Sequence, residues 1–221
     1  MARIIPTAAA KRVVRLSKPS ARKLATGQRY DANIERILRA AASVFAEKSF
    51  GLASIRDIAS RARISFPRIY YYLRSKEELL YLISRRAFEE LISRAGVRLG
   101  GTEDTQAQLR RFIESHLEYH MANLAEMKVL VREADSLGAR YAGEIARLKR
   151  DYSRLLRRIL EELARKRGVE LNREQSRIVT SLVFGAMNWF YTWYEPARDF
   201  DHRGRIIDEV YRLAASAVSD R

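Results

Sequence analysis

A single hydrophobic period runs through the chain after residue 30. Over residues 31–48 the apolar side chains Ile34, Ile37, Leu38, Ala41, Val44 and Phe45 recur at spacings of three and four, which is one buried face of a helix. The same spacing predicts helices over about 103–121, 126–136, 141–166, 173–194 and 205–218. No alternating pattern competes, and four Pro and ten Gly in 221 residues are too few for a loop-rich β protein. Gly100-Gly101 marks a connection, Gly168 and Pro196 each end a helix, and no repeat of solenoid length is present. The expectation is an all-α chain of about nine helices, in one domain or in a small one joined to a larger.

Between the first helix and residue 100 the punctuation is denser. A break falls at Ser49-Phe50-Gly51. Ser54 then stands where an N-cap would stand, with Asp57 three residues on and a short helix over 55–59. Ser65 repeats that role before Phe66-Pro67, and Pro in a first turn sacrifices no hydrogen bond, so a third helix is expected over about 66–72. Ser75-Lys76-Glu77-Glu78 reads as a capping box that opens a fourth helix, reaching about residue 97.

Charge narrows the partner. The net charge is +15 and the pI near 10.4, which favours nucleic acid or an anionic surface. Residues 1–29 hold Arg3, Lys11, Arg12, Arg15, Lys18, Arg22, Lys23 and Arg29 and no acid, and residues 30–80 hold nine basic and six acidic side chains. The first 80 residues thus carry +11 of the total, which puts the polyanion site early in the chain. Residues 1–29 lack an apolar stretch of signal-peptide length and read as a basic flexible arm, with a merely solvated tail as the bland alternative. Residues 178–194 contain no charge, yet Thr180, Ser181, Asn188 and Thr192 interrupt a stretch of only 17 residues. A membrane span needs about 20 predominantly apolar residues, so a protein-buried helix is the better account. The absence of Cys excludes a disulfide framework, Cys-ligated metal and a thiol nucleophile.

Two short helices, 54–61 and 65–72, joined by a tight turn and covered by the longer helix before them, make a helix-turn-helix. The second helix of such a unit lies in the major groove. Arg68 can read guanine there through its two parallel donors, and Tyr70 or Tyr71 can hold a phosphate. The tyrosines also have a packing role open to them, above all Tyr72 and part of Tyr70.

Ser54-Ile55-Arg56-Asp57-Ile58-Ala59, Ile64-Ser65, Ile69-Tyr70-Tyr71-Tyr72-Leu73 and Ser75-Lys76-Glu77-Glu78-Leu79-Leu80 resemble the DNA-binding domain of TetR/AcrR-type transcriptional regulators over about fifty residues. The resemblance implies a cytoplasmic, nucleoid-associated homodimer on a palindromic operator in double-stranded DNA. After the basic arm at 1–29 it implies a helix-turn-helix domain at 30–76 and a ligand-binding and dimerisation bundle at 77–221. By that pattern Ser54, Tyr71 and Lys76 would sit on phosphates, and Ser65, Phe66, Arg68 and Tyr70 at or near bases. Two departures stand out: Arg63 occupies the turn position where the family usually has Gly, and Phe66-Pro67-Arg68 replaces a common Lys-Gly-Thr type run.

In the C-terminal half, Asn188-Trp189-Phe190-Tyr191-Thr192-Trp193-Tyr194-Glu195-Pro196 resembles a signature in regulators of lipid and sterol catabolism, with Glu133, Arg140, Tyr152 and Gly168 as a similar upstream pattern. The resemblance implies an acyl-CoA thioester as effector and genes of fatty acid metabolism as targets. A long apolar chain needs a tunnel of aromatic and Met side chains, for which Phe112, His116, Tyr119, Met127, Tyr152, Met187 and Trp189 are candidates; Arg86, Arg132 or Arg177 could meet the CoA phosphates. The competing account of such an aromatic helix is core or dimer interface. At helical spacing Ser181, Gly185, Asn188 and Thr192 form one stripe and Leu182, Ala186, Trp189 and Trp193 another, and the helices at 173–194 and 205–218 are expected to build a dimeric four-helix interface. Which stripe faces the ligand stays open. His116 and His120 lie four apart and could hold a metal with Glu126, Glu133 or Asp135, but no convincing third ligand exists and no metal or cofactor is expected.

The expected function is that of a sequence-specific regulator, a repressor released from its operator by a small hydrophobic effector. The alternatives are a TetR-type regulator of efflux sensing lipophilic drugs, or a non-specific basic architectural DNA-binding protein. No Gly-rich phosphate loop, Ser-His-Asp order or nucleotide motif supports an enzyme.

Overall fold

The computed structural model describes residues 21–219, with the side chains of 21–31 and of residue 200 excepted. Among these residues all regular structure is helical: α1 (Ala21–Leu52), α2 (Ile55–Ala62), α3 (Phe66–Tyr72), α4 (Lys76–Leu99), α5 (Thr105–Ala122), α6 (Leu124–Glu133), α7 (Ala139–Lys166), α8 (Arg173–Asn188), α9 (Pro196–Asp199) and α10 (Arg203–Ser216). The chain divides into two units, residues 1–35 and residues 36–221, and the helices that carry the sites lie in the second.

Two expectations need correction. α1 begins at Ala21, so residues 21–29 of the expected flexible arm are helical; Ala, Arg, Lys, Leu and Gln there are good helix formers. Residues 1–20 of that arm lie outside the described residues. The helix expected over 173–194 ends at Asn188, and Trp189–Thr192 continue as a tighter 3-10 turn. That turn buries Phe190, whose ring stacks 4.3 Å from Tyr194 and lies 5.3 Å from the His120 ring. Aromatic packing thus overrides the regular helix just ahead of Pro196.

The breaks in the helix-turn-helix region follow the side chains. α1 kinks at Ser49, which takes φ 68° and ψ 160°. Ser54 and Asp57 close a reciprocal capping box on α2, and the Asp57 carboxylate also receives Lys48 Nζ at 2.7 Å. Arg61 donates twice to Glu47, at 2.8 and 2.7 Å, so α2 is clipped to α1 at both ends. α2 ends on Arg63 in the left-handed region, φ 53°, with the amides of Arg63 and Ile64 returning to Ser60 and Ala59. At Ser75 the capping is one-sided: its hydroxyl accepts from the Glu78 amide at 3.1 Å, but Glu78 takes the Arg74 amide. α4 starts at Lys76, so the expected boundary between 30–76 and 77–221 falls in the first turn of one helix.

α4 is the hub of the bundle. It packs on α5, α6 and α7, while α8 packs on α7 and α10 on α5 and α8. Leu79, Leu80, Ile83, Ala87, Phe88, Leu91 and Ala95 give α4 its buried face. At the α7 end, Glu77 accepts the Gly138 amide at 2.8 Å and the Tyr81 ring stacks on Tyr141 at 4.4 Å while its hydroxyl donates to Glu144.

Candidate nucleic-acid interface and ligand cavity

α3 presents an exposed polar and aromatic surface on a fixed base. Ile69 and Leu73 are its anchors, 1% and 3% exposed, while Phe66, Arg68, Tyr70 and Tyr71 face solvent. Ser65 caps α3 by backbone only; its side chain makes no capping bond, so the hydroxyl remains open to another acceptor or donor. The Tyr70 ring meets Phe66 edge-on at 5.4 Å, and the Arg56 guanidinium lies over Phe66 at 5.4 Å. Arg56 was not singled out from the sequence; a capping box at Ser54 puts it on the exposed first turn of α2, and that offset was the available signal. Tyr72 is half-buried with its ring edge-on to Tyr71, as a packing residue would be. Ser54 is exposed, but its hydroxyl is engaged with Asp57, whose carboxyl is held well below the usual range, first by Lys48 and then by Ser54.

Lys76 departs most from its expected place. Its ammonium donates to the carbonyls of Phe50 at 2.7 Å, Ala53 at 2.9 Å and Gly51 at 3.3 Å, and lies 4.6 Å from the Phe50 ring centroid. An ammonium has three donors, and all three are used on the carbonyls left open where α1 ends. Lys76 is therefore a clasp between α4 and the α1–α2 corner in this conformation, and not a free phosphate ligand.

Within the bundle a cavity of about 440 Å³ opens between α4, α5, α6, α7 and α8. Phe88 and Leu91 of α4, Met127, Leu130 and Val131 of α6, and Phe184 of α8 form its apolar walls; His116, Tyr152, Ser153, Ser181 and Asn188 supply polar groups, and Lys149 a cation. Of the residues expected to line a tunnel, the structure brings together His116, Met127, Tyr152 and Trp189. Phe112 lies behind the wall, stacked on Tyr152 at 5.1 Å, and Met187 is fully buried in the core. Tyr119 is turned elsewhere, its hydroxyl donating to Glu126 at 3.2 Å and Arg94 lying over its ring. Arg86, Arg132 and Arg177 are exposed and do not line the cavity; Lys149 does, and it has no hydrogen-bond or ion-pair partner among the described residues.

Both stripes of the helix expected at 173–194 reach the cavity, the small-polar one through three residues and the other through Trp189. Ser181, Gly185 and Asn188 of the small-polar stripe line the cavity, whereas Leu182 is 64% exposed and Ile178 stands exposed beside it. With Leu213 of α10 and Trp189, these leave an apolar surface on the outside of α8 and α10. Of the α4 and α6 walls only Met127 was legible in advance, since Phe88, Leu91 and Leu130 carry the same spacing as ordinary core residues.

His116 sits 2% exposed at the cavity wall, its Nδ1 3.1 Å from the Tyr152 hydroxyl and its Nε2 without a hydrogen-bond partner. Burial lowers its pKa to about 3, helped by His120 and partly offset by Asn188. His120, ring centroid 6.1 Å away, is lowered to about 4 by burial, with the Met187 backbone offsetting a part. Both rings are neutral at pH 7, and burial pushes the Tyr152 hydroxyl above its ordinary pKa. Among the described residues no third His, Asp or Glu joins the two histidines in a metal-holding group, and no helix is long and apolar enough to cross a membrane.

Comparison with known proteins agrees with this two-part arrangement. Residues 37–81 match the family model of bacterial regulatory proteins of the tetR family, and residues 102–203 match that of the tetracyclin repressor-like C-terminal domain. An HTH-type transcriptional regulator in the dhlA 5' region of Xanthobacter autotrophicus is 30% identical over 141 residues, covering 62% of this chain and 69% of that protein. The HTH-type transcriptional activator FasR of Mycolicibacterium smegmatis is 31% identical over 84 residues, and that match spans 38% of each protein. The crystal structure of a TetR-family transcriptional regulator from Bordetella parapertussis 12822 superposes with a TM-score of 0.75 at 25% identity, covering 84% of this chain and 93% of the other. Helix-turn-helix, bundle and relatives agree, and the chain belongs to the TetR family of DNA-binding transcriptional regulators, which are not enzymes.

Proposed function

We propose that the chain acts as a homodimeric repressor that binds a palindromic operator through α3 and is released when a small hydrophobic effector, an acyl-CoA thioester, enters the cavity. The observation that carries this reading is the double role of α4. Phe88 and Leu91 wall the cavity, and Lys76, the first residue of the same helix, clasps the corner of the helix-turn-helix. A ligand that moves α4 therefore moves the reading head. The energetic requirement is a different affinity for the free and DNA-bound conformations, since equal affinity would shift nothing.

The volume of about 440 Å³ lies in the range of roughly 300–1,000 Å³ usual for ligand sites, and Lys149 is the cation placed to take an anionic part of the thioester. In the reading head, Arg68, Phe66, Tyr70 and Ser65 face bases, and Tyr71 and Ser54 face phosphates; Arg68 carries the base discrimination. The exposed apolar residues of α8 and α10 form the dimer interface, an isologous four-helix contact. The protein would work in the cytoplasm, on the nucleoid, on genes of fatty acid metabolism. One named relative is an activator, so the sign of regulation has a second reading.

Fluorescence anisotropy tests the proposal on DNA from upstream of the protein's own gene, against random duplex, with acyl-CoAs of several chain lengths. Selective binding released by one acyl class is the expected result. Selective binding with no release removes the thioester. Release by lipophilic drugs in its place favours an efflux regulator, tighter operator binding with acyl-CoA favours an activator, and equal binding to both duplexes favours an architectural protein.

A further inference from the structure

We infer that the effector presents an uncharged carbonyl or hydroxyl oxygen to His116, and that His116, oriented by Tyr152, is the residue that selects for it. The inference rests on the cavity being the effector site and goes beyond the hydrophobic effector proposed above. Among the cavity walls His116 is the polar group with an unmet need. Its Nε2 is buried and has no hydrogen-bond partner within the protein, with Asn188 lining the same cavity. A buried polar atom without a partner is costly and rare, so a group entering the cavity is its natural complement.

The ring is held from three sides. Tyr152 lies nearly parallel to it at 5.9 Å, Phe184 meets it at 6.0 Å, and His120 at 6.1 Å, while Nδ1 is tied to the Tyr152 hydroxyl. If that hydroxyl donates to Nδ1, the proton sits on Nε2 and points at a carbonyl oxygen; in the reverse tautomer Nε2 accepts from a hydroxyl. Either way the imidazole is uncharged, because burial and the neighbouring His120 disfavour a cation. A carboxylate would gain no ion pair from it. The positive group of the cavity is Lys149, with the apolar walls of Phe88, Leu91, Leu130 and Phe184 available to a chain. A ligand that satisfies all three is apolar, with an anionic part at Lys149 and a neutral oxygen at His116.

A thioester carbonyl and an oxygen on the acyl chain share this chemistry, and calorimetric titration separates them. The full-length wild-type protein and His116→Phe are titrated with decanoyl-CoA, its thioether analogue S-decyl-CoA, 3-hydroxydecanoyl-CoA and 2-decanone. Phe keeps a stacked ring between Tyr152 and Phe184, and an unchanged far-UV circular dichroism spectrum with a single cooperative melt reports that the fold is kept. We expect His116→Phe to lose about 10- to 100-fold in affinity for the oxygen-bearing probe and to stay within about twofold for S-decyl-CoA. Equal losses for decanoyl-CoA and 3-hydroxydecanoyl-CoA assign the thioester carbonyl, and a loss confined to 3-hydroxydecanoyl-CoA assigns the chain oxygen. A His116-dependent affinity for 2-decanone alone keeps this inference and defeats the acyl-CoA reading. Changes that do not distinguish S-decyl-CoA from the others overturn the inference, and binding of none of the probes overturns both. Independently of folding effects, ¹⁵N NMR of the wild type must show the His116 Nε2 resonance move on saturation with whichever oxygen-bearing probe binds; an unmoved resonance also overturns the inference.

Discussion

The helix-turn-helix head and the bundle cavity are built on opposite principles. The head is local: Ser54, Arg56, Asp57, Phe66, Arg68 and Tyr70 lie within seventeen consecutive positions, and caps on neighbouring residues hold them. Its candidate contact side chains point outward, and apolar anchors such as Ile58, Ala62 and Ile69 are buried. The cavity is non-local, assembled from α4, α5, α6, α7 and α8, and two of its polar residues, His116 and Tyr152, are buried. Damage to the head should therefore change DNA binding with little change in stability, whereas damage to the cavity should change both stability and ligand response. α4 belongs to both regions, and Lys76 is where they join.

The largest effect is expected from pH, acting on the sensing half. His116 and His120 have folded pKa values near 3 and 4, below the ordinary 6.5. A base with a depressed folded pKa favours the unfolded chain once that chain can take up the proton, so the stability held above about pH 6.5 falls as the pH drops. Between pH 6.5 and 5 the two rings together should cost about 3 kcal/mol. Asp57 and Asp199, whose carboxyls are held low by ion pairs, lose their contribution only at more acid pH. Urea unfolding at pH 7 and pH 5 should show this loss in the wild type and about half of it in His116→Phe. An equal loss in both proteins would place the sensitivity elsewhere.

Lys76→Met tests the joint. Removing three charge-assisted bonds to carbonyls should lower unfolding free energy by about 2 kcal/mol, and should weaken effector-driven release more than operator affinity. A phosphate ligand would behave differently: stability would hold and the salt slope of DNA binding would drop by about one. Arg68→Ala is confined to the head. It should cost about 1–3 kcal/mol on the operator and much less on random duplex, with effector affinity unchanged; equal losses on both duplexes would remove its base-reading role.

The smallest effect should be a gain. Arg63 adopts φ 53° at the α2–α3 turn, where a residue without Cβ is favoured, so Arg63→Gly should raise stability by about 0.5–1 kcal/mol. Thermal melts would show it. A loss in its place would mean that the Arg63 side chain makes up for its backbone.

The legibility of the two regions differed for the same reason that their construction does. The helix starts at Ser54, Ser65 and Ser75, the break at Ser49 and the Pro67 first turn were readable because capping and proline geometry act over three or four residues. The exposed face of α3 came with them, since a seven-residue helix with Ile69 as its anchor leaves few side chains free to face outward. The Lys76 clasp was not foreseen because nothing in Ser75-Lys76-Glu77-Glu78 shows that the end of α1, more than twenty residues earlier, brings three carbonyls to its ammonium. In the bundle the helices were readable and the hollow between them was not. Phe112 and Met187 have the composition of tunnel residues yet fill the core, while Phe88 and Leu130 have the spacing of core residues yet wall the cavity.

The sequence by itself determined the helical period, the capping points, the basic head and the family pattern, because each depends on residues within a turn or two of one another. Only the tertiary structure decided that Lys149 and not the arginines accompanies the cavity, that Ser181, Gly185 and Asn188 line it, and that His116 is left with an unpartnered nitrogen. Those outcomes depend on how five helices, distant along the chain, fill or fail to fill the space between them, and packing of that kind leaves no periodic trace in any one of them.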